Sequence, residues 1–259
     1  MEQLRGKVEK AMQNPALVKN LVCKEFNVRE TTTESWLTFE QLNNTATYDI
    51  TTLNPRYAIG GVDLSTTTDL TSAKAIFRVK NDPTTYVISM YWVLAEGLEE
   101  RSKEDKARYD LWVEQGYMRA VEGNKIHPKY VTEWFLELQK KYRMNLLYIG
   151  YDAWSAQYWV EEMRDNFGKE AMIPVHQGKR TLSAPMKELG TDLDLKLVNY
   201  NNNPVDKWCL ANTKKDEDKN GNIQPVKTSK RSKRIDGAAS LLDCYVIMGE
   251  KQGEYLNMI

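Results

Sequence analysis

The sequence contains few of the residues that bind soft metals. Among its 259 residues there are two histidines, His127 and His176, and three cysteines, Cys23, Cys209 and Cys244. The cysteines are odd in number and show no Cys-x-x-Cys spacing, so neither a disulfide framework nor a zinc site is indicated. We expect reduced, structural cysteines, and histidines that lie in the core or at the surface rather than in a catalytic site.

Long apolar runs are also missing. No segment approaches the ~20 consecutive apolar residues that span a bilayer, and the first residues, 1–7, contain no signal-peptide core. We therefore expect a cytoplasmic protein without membrane contacts. A hydrophobic fraction of 41% and seven tryptophans are sufficient for one substantial core.

An excess of charge of one sign is absent as well. Lys and Arg together number 36, as do Asp and Glu, so the field of the whole protein cannot attract nucleic acid. One local patch could do so, because five basic residues fall within eight positions: Lys227, Lys230, Arg231, Lys233 and Arg234. Such a run is often a solvated loop, but its position directly before Asp236 favours contacts with DNA phosphates.

Two common catalytic motifs are missing. The segment 177–180, Gln-Gly-Lys-Arg, lacks the first glycine and the Ser or Thr of a Walker A loop, so ATP hydrolysis cannot be assigned to this chain. No Gly-x-Ser-x-Gly nucleophile elbow occurs either.

What the sequence does have is three aspartates at energetically costly positions. Asp63 closes an apolar run that begins at Tyr57, and Asp152 closes another that begins at Leu146. Asp236 lies near the start of the last helix-like stretch. A carboxylate at the end of a buried strand is costly unless a positive group neutralises it. Three of them, far apart in sequence, are what a divalent-metal site requires.

The apolar pattern predicts a mixed α/β fold with helices on both sides of a central sheet. Three strands with short connections indicate an antiparallel meander, and later strands that alternate with helices can join in parallel. The Lys-Asn-Gly-Asn sequence at 219–222 predicts the turn of a hairpin within residues 208–227, with Trp208–Thr213 as its first strand. In chain order the predicted elements are strands 57–64, 72–79 and 86–94, helix 99–115, strand 117–121, helix 129–142, strand 146–152, helix 155–166, strand 171–175, helix 182–189, strand 195–199, the hairpin, and helix 234–248.

Strand periodicity then suggests how the aspartates meet. If the strands that end in Asp63 and Asp152 are neighbours, both carboxylates project from adjacent positions. The last helix can bring Asp236 over them, because the small residues 237–239 allow helix and sheet to approach closely. Oxygen ligands without nearby His or Cys select hard cations, Mg²⁺ or Mn²⁺.

Two further aspartates are considered as metal ligands. Asp243 lies on the same helix face as Asp236, but seven residues correspond to roughly 10.5 Å along an α-helix, too far to ligate the same metal. Asp69 falls in the first hairpin turn, where it either reaches back toward the site as an additional ligand or caps the turn. Both alternatives stay open for Asp69.

Together these motifs resemble the C-terminal nuclease domain of tailed-bacteriophage terminase large subunits. Segments 26–28 and 34–37 are similar to the part that joins that family's ATPase domain to its nuclease domain. The resemblance covers nearly the whole chain, and its central motifs are Gly-Val-Asp-Leu-Ser at 61–65, Asp-Leu-Thr at 69–71, Tyr-Ile-Gly-Tyr-Asp at 148–152 and Arg-Ile-Asp-Gly-Ala-Ala at 234–239.

The resemblance implies an RNase H-like fold and a metal-dependent endonuclease that cuts concatemeric viral double-stranded DNA during genome packaging. Asp63, Asp152 and Asp236 match the acidic triad, and Asp69 matches an additional acidic position of some members. With two Mg²⁺ or Mn²⁺ ions, Asp63 would bridge both while Asp152 and Asp236 each complete one site.

The resemblance also implies an organisation and partners. Residues 1–50 would be a lead-in from an ATPase domain that this chain lacks, and residues 51–259 the nuclease domain. The implied partners are double-stranded DNA, the ATPase domain of the same full-length protein, the portal protein and the terminase small subunit, in the host cytoplasm rather than in the mature virion. The alternatives are another RNase H-like nuclease, such as a transposase or junction resolvase, and a non-catalytic DNA-binding or assembly module.

Overall fold

The structure, a computed structural model, describes residues 35–65, 69–153, 159–227 and 233–259, together with the separate positions 4, 6–8 and 12. Cys23, Lys230 and Arg231 lie outside the described residues, as does the segment 26–28.

A mixed sheet forms the centre of the fold. Its strand order is β4-β3-β2-β1-β5-β6, and β7 pairs with β3. The first three strands pair antiparallel, whereas β4 and β7 join β3, β5 joins β1 and β6 joins β5 in parallel. The predicted sheet of three antiparallel strands followed by parallel ones is therefore confirmed. Its strands are β1 (Tyr57–Asp63), β2 (Thr71–Phe77), β3 (Thr85–Leu94), β4 (Met118–Val121), β5 (Asn145–Asp152), β6 (Met172–Val175) and β7 (Val198–Asn199).

Helices lie on both faces of the sheet. A separate hairpin of β8 (Lys214–Glu217) and β9 (Ile223–Val226) precedes the last helix in the chain. A short 3-10 helix, Lys169–Ala171, precedes β6. The α-helices are α1 (Phe39–Leu42), α2 (Ile50–Leu53), α3 (Leu98–Asp105), α4 (Tyr109–Glu114), α5 (Lys129–Tyr142), α6 (Trp159–Phe167), α7 (Lys179–Asp194), α8 (Pro204–Asn212) and α9 (Asp236–Leu256). In the described part of the chain, no helix combines the length and apolarity needed to cross a bilayer.

The two faces of the sheet have separate apolar clusters. On one face α7 and α9 share a cluster with Ile59, which is fully buried. On the other face α5 contributes Phe135 to a cluster with Ala58. Because side chains alternate along β1, Asp63 lies on the same face as Ile59, the face that α9 covers.

Helix α5 has the predicted bounds. Val131, Phe135 and Leu138 recur at helical spacing and are all buried, at most 4% exposed. Arg143 adopts a left-handed backbone conformation with φ 54° and ends the helix. Local pattern and tertiary packing agree here, which is why the sequence was sufficient.

The predicted first strand of the hairpin was wrong. Residues 208–212 belong to α8, which begins at Pro204 after Asn203, whose side chain accepts a hydrogen bond from the Val205 backbone N–H at 2.9 Å. The turn itself is confirmed, since the Asp218 backbone N–H donates to the Asn222 carbonyl at 2.9 Å and the two strands pair across it. The Asn-Pro cap signal was in the sequence and outweighs the apolar alternation that follows it.

Several other predicted elements differ in extent. The helix predicted at 182–189 is the longer α7, Lys179–Asp194. The single helix 99–115 is two helices, because Lys106 takes a left-handed conformation with φ 52° and turns the chain between α3 and α4. The strand 195–199 contracts to β7, and the last helix continues to Leu256, well past the predicted end at Met248.

Residues 35–50 pack on the rest of the fold. Leu37 and Leu42 are buried in the cluster under α7 and α9, with exposures of 2% and 4%. The Trp36 backbone N–H donates to the Thr213 carbonyl at 3.2 Å, and the Asn44 side chain donates to the Val198 carbonyl at 2.8 Å. The described part of the predicted lead-in is thus attached to the domain.

Candidate metal centre

The ends of β1 and β5 place two aspartates side by side. These strands pair in parallel with Gly61 opposite Gly150, so Asp63 and Asp152, two residues further along, lie at neighbouring strand ends. The condition under which the two aspartates were expected to project from adjacent positions is therefore met. Since the two carboxylates lie on one face, they occupy the region that the start of α9 approaches.

Helix α9 lies unusually close to this face. A Cβ atom added at Gly61 would be 2.2 Å from the Ser240 carbonyl oxygen, and one at Gly150 would be 3.0 Å from that of Asp243. Glycine therefore allows the helix backbone to rest directly on the strands. Sequence reasoning attributed the close approach to the helix alone, although a glycine two residues before each aspartate was visible in both strands.

The first turn of α9 is fixed against β2 and β3. A Cβ added at Gly237 would meet the Tyr91 hydroxyl at 2.2 Å, so the predicted close approach at the start of the helix is confirmed. One turn later, the hydroxyl groups of Ser72 and Ser240 form a hydrogen bond of 2.8 Å. These contacts hold Asp236, the first residue of the helix, at the end of β1.

The carboxylates brought together here raise the pKa of Asp63. Burial, and then the negative charges of Asp236 and Asp243, raise the pKa of Asp63 well above its ordinary value. Burial also raises the pKa of Asp236 to about 6, although the charge of Lys227 partly offsets it. Asp152 acts on Asp63 in the same direction. The three predicted aspartates therefore share one electrostatic environment with excess negative charge.

Asp243 is a member of this environment that sequence reasoning set aside. Its side chain is buried, and the Gln177 amide donates a hydrogen bond to its Oδ1 at 3.2 Å. Burial, with a contribution from the charge of Asp152, raises its pKa well above the ordinary value. Helix spacing excluded Asp243 as a ligand of the same metal as Asp236. The crossing of α9 over the sheet instead brings Asp243 within electrostatic reach of Asp63 and Asp152.

Asp69 faces two cations. Its Oδ2 lies 2.5 Å from the Lys227 ammonium, and its Oδ1 accepts a hydrogen bond from the Arg234 guanidinium. Burial alone would raise the pKa of Asp69, but the hydrogen bonds and charges of these two residues together lower it. Asp69 is thus linked to the site through Lys227 of the basic segment, whose ammonium also lies near Asp236.

Within that segment, the described residues have different surroundings. The Lys233 ammonium donates to the Asn212 side chain at 3.1 Å. Arg234 is buried, and its guanidinium binds Asp105 at 2.8 Å in addition to Asp69. The expectation that Arg234 contacts DNA phosphates therefore needs correction. Its side chain is buried, and its charge is paired with Asp105 and Asp69 inside the fold.

Lys227 lies between the basic segment and the carboxylates. Its ammonium is 3.9 Å from Oδ1 of Asp236, and its side chain is 42% exposed. Burial opposes the charged form of Lys227, but the charges of Asp236 and Asp69 outweigh it and raise the pKa of the lysine. The other oxygen of Asp236, Oδ2, is buried and has no hydrogen-bond partner among the residues that the structure describes.

The residues present fit a hard divalent cation. An orphaned, buried carboxylate oxygen is costly and points to a partner that only a cation or a donor could supply. Across the described ranges, no three His, Cys, Asp or Glu side chains are yet gathered closely enough to hold a metal as they stand. Ligation would therefore require the carboxylates of Asp63, Asp152 and Asp236 to move closer together.

The histidines and the described cysteines stay outside this chemistry. His127 and His176 are both exposed, and Nδ1 of His127 accepts a hydrogen bond from the Lys129 backbone at 3.1 Å. Cys209 and Cys244 are buried and free. The oxygen-only character of the site, expected from the sequence, is consistent with this placement.

Comparison with known proteins gives the family. The family model for the endonuclease domain of the terminase large subunit matches residues 1–251. The terminase large subunit of Enterobacteria phage HK97 is 28% identical over 188 residues, which is 72% of this chain and 36% of that protein. Protein YmfN of Escherichia coli (strain K12) is 26% identical over 191 residues, 70% of this chain and 40% of that protein.

Solved structures show the same fold. The crystal structure of the HK97 large terminase superposes with a TM-score of 0.72 at 23% identity, covering 93% of this chain and 49% of that one. The large terminase nuclease from the thermophilic phage G20c, with bound magnesium, gives a TM-score of 0.50 at 12% identity, covering 83% and 97%. The expected RNase H-like architecture is confirmed. The chain spans less than half the length of the HK97 and YmfN relatives. Since the family match extends over almost all of its residues, the chain belongs to the terminase large subunit endonuclease domain family.

Proposed function

We propose that this chain is the nuclease that cuts concatemeric viral double-stranded DNA during genome packaging, with two divalent ions. The observation that carries the proposal is the buried Oδ2 of Asp236, which has no hydrogen-bond partner among the described residues and lies among carboxylates that raise the pKa of Asp63. Family membership supports nuclease activity, and the magnesium in the G20c nuclease supports a hard cation.

The ligands in this proposal are the three aspartates of the sequence motif. Asp63 would bridge both ions, and Asp152 and Asp236 would each complete one site. Mg²⁺ or Mn²⁺ would supply an activated water and stabilise the leaving oxygen of the phosphodiester. Asp69 is held by Lys227 and Arg234, and as an additional ligand it would first have to leave these partners.

The protein would contribute position and charge. The packing of α9 on Gly61, and of its own Gly237 on Tyr91, fixes the helix that carries Asp236. Lys227, Lys230, Arg231 and Lys233 would contact DNA phosphates, which bind cationic side chains without regard to sequence. Arg234 would instead hold Asp69 and Asp105 and so orient the segment that carries the lysines.

The remaining proposals concern organisation. Residues 1–50 would lead from an ATPase domain of the full-length protein into the nuclease domain, residues 51–259. By family membership, the portal protein and the terminase small subunit would be further partners, and the protein would act in the host cytoplasm.

Cleavage of supercoiled plasmid in Mn²⁺ tests the function. We expect the wild type to nick and linearise the plasmid, and Asp63→Ala to lose at least about 100-fold in rate because one carboxylate serves both ions. Asp110→Asn is a matched control, since Asp110 is an exposed aspartate that pairs with Arg108. Circular dichroism checks that all variants are folded.

Undiminished cutting by Asp63→Ala would refute the proposed site. Symmetric cleavage of four-way junctions, together with intact linear DNA, would indicate a junction resolvase instead.

A further inference from the structure

Lys227 places a positive charge beside the carboxylates of the proposed site. Its ammonium lies 2.5 Å from Asp69 Oδ2 and 3.9 Å from Asp236 Oδ1. Its charge also lowers the pKa of Asp63, against the combined effect of burial and the neighbouring carboxylates. One ammonium thus acts on three carboxylates, two of which are proposed metal ligands.

The strand that precedes Lys227 restricts how far this lysine can travel. Lys227 directly follows β9, and the first residue of that strand, Ile223, donates its backbone N–H to the Ser183 hydroxyl of α7 at 3.1 Å. The hairpin is therefore anchored to the domain. The side chain of Lys227 is nevertheless 42% exposed, so its flexible stem can swing toward solvent without movement of the strand.

Arg234 does not have this freedom. Its side chain is 9% exposed, and it is held by Asp105 and Asp69 at once. The two cations next to Asp69 thus differ in mobility: Arg234 is fixed within the fold, whereas Lys227 can leave the carboxylates.

We infer that Lys227 is a built-in counter-ion that neutralises the carboxylate site before metal binds and that the metal must displace. This inference rests on the proposed function, because it assumes that divalent cations bind at Asp63 and Asp236. In the metal-free protein the ammonium reduces repulsion among the aspartates. When a divalent ion binds Asp236, its charge repels the ammonium that lies 3.9 Å from the other oxygen of the same carboxylate, and the lysine turns outward to the surface where DNA phosphates would lie.

A competing Lys227 and a purely structural Lys227 predict opposite changes in metal affinity when the lysine is removed. If Lys227 only positioned the aspartates, its removal would disorder the ligands and weaken metal binding. If Lys227 competes with the metal, its removal would strengthen metal binding. The direction of the change therefore separates the two roles.

Calorimetric titration of Mn²⁺ into the metal-free chain measures this direction. We expect Lys227→Met to bind Mn²⁺ about fivefold more tightly than the wild type, the size appropriate to a partly exposed ion pair. Lys227→Arg, which keeps the charge, should stay within about twofold of the wild type. Lys215→Met is the matched control on the same hairpin, because Lys215 is exposed and pairs with Glu217 at 2.8 Å; its Mn²⁺ affinity should not change.

Thermal unfolding supplies a second measurement. In EDTA, Lys227→Met should melt below the wild type, because the carboxylates lose their counter-ion, and saturating Mn²⁺ should close the gap. Equal or weaker Mn²⁺ binding by Lys227→Met would overturn the inference, as would a melting difference that persists in Mn²⁺. Failure of the proposed function looks different: the wild type and Asp63→Asn would then give the same Mn²⁺ titration, whatever residue stood at position 227.

Discussion

Two buried charged clusters lie on the same face of the sheet, and they are neutralised to different degrees. In the first, Asp206 of α8 accepts hydrogen bonds from the Lys74 ammonium, from the Tyr91 hydroxyl at 2.5 Å and from the Ser89 hydroxyl at 2.7 Å. Lys74 itself is fully buried, and it also donates to the hydroxyls of Ser89 and Tyr91, both at 3.0 Å. Each charged group has an opposite charge and additional hydrogen bonds.

The second cluster contains four aspartates, Asp63, Asp152, Asp236 and Asp243. Lys227 is 3.9 Å from the nearer Asp236 oxygen, and the other oxygen has no partner among the described residues. The pKa of Asp236 rises to about 6, which reflects the free energy required to keep this carboxylate charged.

The difference shows how a structural ion pair is distinguished from a site built for a ligand. Burying a charge requires several kcal/mol unless opposite charge and hydrogen bonds offset it. The Lys74–Asp206 cluster meets both conditions within the chain, so its burial requires no ligand. Among the described residues, the Asp236 carboxylate does not, and a divalent cation would supply the missing partner of its Oδ2.

The largest expected effect is on the complete cluster. Lys74→Met leaves Asp206 buried without its cation, and we expect a loss of about 3–5 kcal/mol in the free energy of unfolding. Urea denaturation measures it, and Mn²⁺ should not restore the loss. The double variant Lys74→Met/Asp206→Leu should recover part of it, since neither charge then remains. A loss below about 1 kcal/mol in the single variant would place this pair with ordinary surface pairs.

The next effect concerns pH and the incomplete cluster. The pKa of Asp236 is about 6 in the folded protein and would be about 3.9 when unfolded. The folded state therefore holds this proton more tightly, and the resulting stability is fully present below pH ~4 and is lost as the pH rises through 6. In EDTA, the wild type should lose about 2 kcal/mol more than Asp236→Asn between pH 4 and 7. Parallel pH profiles of the two proteins would contradict the raised pKa.

A smaller effect is expected where the two clusters meet. Gly237→Ala would place a Cβ 2.2 Å from the Tyr91 hydroxyl, which Lys74 and Asp206 hold in place. We expect a loss of about 1–3 kcal/mol from overpacking. In a Tyr91→Phe background the same substitution should be less harmful, because the hydroxyl is gone. Equal losses in both backgrounds, measured by urea denaturation, would mean that this contact does not set the helix position.

The smallest effect provides the baseline. Arg119 and Glu137 form a surface pair of 2.6 Å with side-chain exposures of 40% and 51%. Arg119→Gln should change the free energy of unfolding by less than about 1 kcal/mol. A larger change would show that partly exposed pairs matter more in this protein than the comparison assumes.

Sequence reasoning predicted the elements whose signals are local. The strands β1 and β5 followed from two apolar runs that each end in aspartate, and α5 followed from its spacing. It failed where partners distant in sequence decide. The burial of Arg234 depends on Asp105, which is 129 positions earlier. The inclusion of Asp243 depends on how α9 crosses β5, which helix spacing alone cannot give.

Anomalous diffraction at the manganese edge, from crystals grown with Mn²⁺, tests the central claim most directly. The account predicts anomalous peaks between Asp63, Asp152 and Asp236, with the Lys227 ammonium displaced from Asp236, and no peak beside Lys74 and Asp206. Absence of a peak at the three aspartates at saturating Mn²⁺, or a peak at the Lys74–Asp206 cluster, would contradict it.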